Sequence, residues 1–239
     1  QHRVVAISVA MGTRKSNKAW SLGEPDSSEA DLVRRFFDGI ERHSPTLVSW
    51  NGRGFDLPVL HYRALRHSVQ AHRYWELGDE DPAFRWNNYL SRCHWRHVDL
   101  MHVLSGFQGR GRVGLEQMAQ LLGLPGKLGM TGEGVWEAHL EGRSEEIRHY
   151  CETDVINTYL VYLRFELMRG RLTHGEYARE CGLVRDWLGA AGELHLALRR
   201  QQPAGVECHL LGNAHSRIAL GLERLLEKLH DLDRTSLKQ

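Results

Sequence analysis

The chain has 239 residues, of which 41% are hydrophobic and 26% charged, with a formal net charge of +1 when histidine is neutral. That balance suits a globular chain of one large domain, or one domain plus an appendage, and excludes any whole-molecule pull on nucleic acid or membrane, so a polyanion site must be local. No run approaches the roughly 18 consecutive apolar residues of a membrane-spanning helix.

His2 to Met11 is a near-continuous β-prone run, and Lys18 to Leu22 reads as a partner strand across a polar turn. Strands this apolar are usually covered on both faces. Ala30, Val33, Phe36, Phe37 and Ile40 recur at helical spacing, which predicts an amphipathic helix over 28–43 that ends before Pro45. A short strand over 46–50 follows, then a glycine-punctuated turn and a helix over 57–69. Gly52 and Gly54 permit a sharp turn or a close approach to a ligand. Asp56 stands two residues before Pro58 and reads either as a plain N-cap or as a carboxylate aimed outward from the strand end, where α/β sheets place ligands.

Between 70 and 95, Tyr74, Trp75, Trp86, Tyr89 and Trp95 alternate with arginines. The pattern suits a single-stranded nucleic-acid groove, and equally an irregular segment that packs its aromatics inward. Arg96 to Met101 is a strand or strand end, and Gly106 to Gly114 is a glycine-arginine loop. Leu115 to Leu122 is a short helix closed by Gly123. A long helix opens at Ser144 and runs to about Met168, with Glu145 and Glu146 opposing its dipole. One or two further helices are expected over 173–200, and a leucine-rich amphipathic helix over 218–232. Domain boundaries are expected at 1–170 and, for a helical C-terminal extension, 171–239.

The cysteines, Cys93, Cys151, Cys181 and Cys208, form no Cys-x-x-Cys pair. Reduced thiols in a cytoplasmic protein are the expectation. Cys93, His94, His97 and His102 crowd one segment without a second half-site, so surface and packing histidines are expected over a structural zinc.

Tyr150 and Asp154 stand four apart on the long helix and so share one face. A phenol above a carboxylate is what metal-assisted phosphodiester cleavage can use. Alone the pair reads as an exposed helix stripe; the company it keeps changes the reading. Ser49-Trp50-Asn51-Gly52-Arg53-Gly54-Phe55-Asp56-Leu57-Pro58, then Asp99 on a later strand, then Tyr150-Cys151-Glu152-Thr153-Asp154-Val155 occur in the order of one family. The chain resembles the DEDD-type 3′–5′ exonucleases of the Tyr-bearing subclass, nearest to those similar to the proofreading domain of B-family DNA polymerases, over about residues 1–190.

The resemblance implies an α/β, ribonuclease-H-like mixed sheet flanked by helices, and two-metal removal of nucleotides from the 3′ end of single-stranded DNA with Mg²⁺ or Mn²⁺. Asp56 and Asp154 match metal-site carboxylates and Tyr150 the water-orienting tyrosine. Asn51 and Phe55 match positions that touch the 3′-terminal nucleotide, and Lys127 and Asp99 match further substrate-side positions. The family's first motif, Asp-x-Glu on a central strand, has no match in the chain, and a longer natural protein carrying it upstream is expected. The alternative is a catalytically inactive nucleic-acid- or protein-binding module of the same fold.

Overall fold

In the computed structural model the described residues are 3–12, 17–124, 126, 130 and 132–190. The expected terminal helix over 218–232 lies outside them, as does Lys127. Strand β1 (Ser8–Gly12) pairs antiparallel with β2 (Asn17–Ser21), with Val9 opposite Trp20. Helix α1 (Glu29–His43) follows. Its N-cap Ser28 accepts the Asp31 N–H, and Ser44 closes it in the left-handed region before Pro45. Strand β3 (Leu47–Ser49) then leads through the glycine turn into α2 (Asp56–His67).

After the one-turn α3 (His72–Trp75), an irregular stretch returns to β4 (His97–Asp99), which pairs parallel with β3 so that Ser49 stands opposite Asp99. Helix α4 (Leu100–Leu104), α5 (Leu115–Leu121) and α6 (Val135–Leu140) precede α7 (Ser144–Met168), which has the bounds its sequence pattern predicts. The last described element is α8 (His174–Ala190). No helix among the described residues is long and apolar enough to cross a membrane.

The fold is mixed α/β, but the expected single mixed sheet is not present as one ladder. Among the described residues β1–β2 and β3–β4 are separate two-stranded sheets. They are joined by α7, which packs on β1, β2 and β3. The long first strand is also shorter than its β-prone run. Val4 leaves the ladder because its N–H donates to the buried Glu29 carboxylate at 2.7 Å, while its side chain enters the core between α1 and α2. A donor spent on a side chain cannot pair with a neighbouring strand.

The aromatic segment turns inward only in part. Tyr74, Phe84 and Tyr89 are buried beside α1 and α2, and the Arg73 and Arg96 guanidinium groups lie over the Phe84 ring at 4.5 and 4.0 Å. Trp75, Trp86 and Trp95 stay exposed. Arg73 and Arg96, two of the arginines that suggested a nucleic-acid groove, are therefore engaged with core rings. A second core joins β2, α7 and α8 through Ala19, Ile156, Leu160, Cys181 and Leu188. A third sets Val98 and Leu100 against Val161 and Phe165 of α7.

Candidate active site

The parallel pair β3–β4 ends at Ser49 and Asp99, and the turn that leaves β3 is built against the end of β4. Asn51 adopts φ +62°, a left-handed conformation that asparagine tolerates better than most residues. Its carbonyl accepts the Gly54 and Phe55 N–H groups at 3.0 Å each, and the Gly52 carbonyl accepts the Leu57 N–H at 2.8 Å. The chain is thereby folded into the start of α2. The N-cap position falls on Phe55, which makes no side-chain cap bond, and Asp56 is the first helical residue. Asp56 is thus not the side-chain cap that its place before Pro58 allows.

Asp56 has an exposed residue surface, yet its carboxyl is raised to about 6. The protein around the carboxyl is the main cause, and the charges of Asp99 and Asp154 add to it. Cys151 feels the same neighbourhood: burial, then Asp154 and Asp56, push its thiol up to about 12. The acids at 56 and 154, far apart along the chain, therefore both bear on Cys151, and Asp154 on Asp56. Asp154 is half-buried with its Oδ1 atom fully enclosed. Tyr150, one turn earlier on α7, is half-buried, and its hydroxyl lies 3.9 Å from where a Cβ on Gly132 would sit. Phe55 presents a ring that is 48% exposed beside Asp56.

Asp99 faces inward. It is 2% exposed, and its carboxylate faces the protein's own backbone. The Asn51 N–H donates to Oδ1 at 3.0 Å and the Arg53 N–H to Oδ2 at 2.9 Å. The same carboxylate accepts the His102 N–H at 3.4 Å and pairs with His102 Nδ1 at 3.2 Å. Asp99, expected on the substrate side, is thus engaged with these backbone N–H groups, and its charge also acts on Asp56.

The histidines are also engaged locally. His94 Nδ1 accepts the Asn88 N–H, and His97 Nε2 lies 2.9 Å from Ser49 Oγ. Burial, with the charges of Arg53 and His102, pushes His97 down to about 3, which keeps it neutral at neutral pH.

Two residues without an expected role belong to the site's frame. Arg53 sends its guanidinium inward to the carbonyls of Leu90, Tyr89, Ser91 and His97, at 3.0 to 3.4 Å. Asn157, on α7 one turn past Asp154, is 1% exposed and grips the backbone of a single residue from both sides. Its Nδ2 donates to the Gly126 carbonyl at 2.9 Å, and its Oδ1 accepts the Gly126 N–H at 3.3 Å. Gly126 directly precedes Lys127, which itself lies outside the described residues. A charged residue inside a glycine turn and an amide in an inward helical stripe were the available signals.

The donor chemistry of Asp56 and Asp154 fits a hard divalent cation, which prefers carboxylate oxygen. The number of donors does not complete a two-ion cage. No cluster of three or more His, Cys, Asp or Glu able to hold a metal occurs among the described residues.

Residues 1–202 match the family described as a predicted 3′–5′ exonuclease related to the exonuclease domain of PolB, and the chain belongs to that family. A shorter stretch of 43 residues is 46% identical to DNA polymerase 1 of Sulfurisphaera ohwakuensis. It covers 18% of this chain and only 5% of the polymerase, so the chain matches a small part of that relative.

Proposed function

We propose that the chain is a metal-dependent 3′–5′ exonuclease that shortens single-stranded DNA from its 3′ end, on a ribonuclease-H-like framework. The observation that carries the reading is the match of residues 1–202 to an exonuclease family, with Tyr150 and Asp154 one turn apart on α7. In this reading Asp56 and Asp154 present carboxylate oxygens to Mg²⁺ or Mn²⁺. Such ions, when bound, stabilise charge on the attacking and leaving oxygens. The Tyr150 hydroxyl holds the attacking water in line by a hydrogen bond. The exposed Phe55 ring stacks on the terminal base, a contact that every base can make. Asn51 and Lys127 serve the terminal nucleotide and its phosphate.

The test is a 3′-terminal digestion. A 5′-labelled oligonucleotide incubated with the intact protein, first motif included, and Mn²⁺ is expected to shorten stepwise, whereas the 239 residues alone, without Asp-x-Glu, are expected to be inactive or impaired. Asp154→Ala should lower the rate about 1,000-fold, and Tyr150→Phe about 100-fold through loss of water positioning. Unshortened substrate, or an Asp154→Ala variant as fast as wild type, overturns the reading.

The short donor set supports a second reading, a nucleic-acid-binding module of the same fold that does not cleave. Salt-sensitive binding of the oligonucleotide with no shortening in Mn²⁺ would favour it.

A further inference from the structure

The turn between β3 and α2 carries Asn51, Phe55 and Asp56 on its outer side. Its inner side is fastened by two groups that bond the protein's own backbone. Asp99 is nearly fully buried and divides its two oxygens between the Asn51 and Arg53 N–H groups. Arg53 reaches the opposite way and spreads its guanidinium over four backbone carbonyls between Tyr89 and His97. One residue of the turn is thus held twice: by its amide to the end of β4, and by its side chain to the segment that leads into β4. We propose that Asp99 and Arg53 form a clamp of positioning residues that fixes the turn and thereby sets where Asp56 is presented to Asp154.

The chemistry requires these residue types. Only a carboxylate offers acceptors to two N–H groups from both of its oxygens. An asparagine at 99 would turn its NH₂ toward one of the amides and leave that donor unmet. Arg53 works as a planar fork with five donors, and a lysine offers one compact ammonium that cannot span four carbonyls. Gly52 completes the fit. A Cβ there would lie 2.4 Å from Ser49 Oγ, so the turn closes tightly on the strand it leaves.

The geometry of the clamp stands on the described residues alone, while its effect on rate rests on the exonuclease reading. The experiment separates them. Amide hydrogen exchange is measured by NMR on the full chain, for wild type, Asp99→Asn and Arg53→Lys, alongside kcat and KM for oligonucleotide shortening in Mn²⁺. Circular dichroism and the melting temperature certify that each variant is folded.

In Asp99→Asn, protection at the Asn51 or Arg53 amide should fall about 10-fold or more, the loss expected for a charge-assisted bond. The kcat value should fall about 100-fold with KM little changed, as for a reacting group displaced by about an ångström. Arg53→Lys is expected to act in the same direction and provides the second arm if Asp99→Asn does not fold. Folded variants that keep wild-type protection at both amides overturn the clamp. So do variants that lose that protection and keep wild-type kcat. An intact wild-type protein that protects both amides and shortens no strand removes the exonuclease reading; amide protection lost in the variants then still supports the clamp.

Discussion

Gly52 illustrates how little room the site's frame leaves for a side chain. A methyl group at this position meets Ser49 Oγ and Cβ at 2.4 and 2.6 Å, well inside contact distance. Ser49 cannot simply swing away, because its hydroxyl is held to His97 on the neighbouring strand. Gly52→Ala should therefore destabilise the protein by about 1–3 kcal/mol, the usual cost of overpacking, and lower nuclease activity with it. Gly182 on α8 serves as the control, since nothing lies within 4 Å of its added Cβ. Gly182→Ala should stabilise by about 0.5–1 kcal/mol through helix propensity. Urea unfolding midpoints of the two variants check both signs.

Among the elements, α1 and α2 are tied together by a charge under their contact. Glu29 is buried, ion-paired with Arg63, bonded to His67 Nε2 at 2.8 Å, and accepts the Val4 N–H. Burial alone would raise its carboxyl. The bonds from Arg63, His67 and Val4 outweigh that and hold it lowered to about 2. A lowered carboxylate adds stability that is fully present above its ordinary value of 4.5 and is lost as pH falls toward about 2. Glu29→Gln is expected to cost about 2–3 kcal/mol at neutral pH by leaving Arg63 without its counter-charge. The difference between wild type and variant should narrow steadily below pH 4.5 in urea titrations.

This element also shows what was legible in the sequence and what was not. The bounds of α1 and α7 follow from local signals: apolar spacing, the Ser28 cap and the acids in the first turn of α7. The strand–turn–helix around Asn51 and Asp56 was equally readable, because glycines and Pro58 act over a few residues. The shortened first strand was not, since it depends on a bond from Val4 to a carboxylate 25 residues away. Asp99 was picked out by its motif context, but its role depends on which backbone amides reach it in three dimensions. The aromatic stretch was ambiguous for the same reason: an arginine beside a ring in sequence does not say which ring it covers.

At the scale of the whole molecule, α7 is the shared member of two cores. Its Ile156, Leu160 and Leu163 pack with β2 and α8, and its Val161 and Phe165 with β4 and α4. Helix α8 therefore contributes to the same interior as the helix that carries Asp154. Leu188 of α8 is fully buried there. Leu188→Ala should destabilise the protein by about 2–5 kcal/mol, as deletion of a core leucine does. Differential scanning calorimetry would read this as one lowered transition, whereas an α8 that melted independently would give a second, earlier one.

The two acids of the site are rooted in different cores. Asp56 opens α2, whose inner face belongs to the core around Phe37 and Tyr74, while Asp154 projects from α7, which has no residue in that core. Strand β3 spans both, with Leu47 against the first core and Val48 against the core of α7. On the proposed exonuclease reading, a cation held by both carboxylates would tie these two cores together, and its binding would raise the melting temperature.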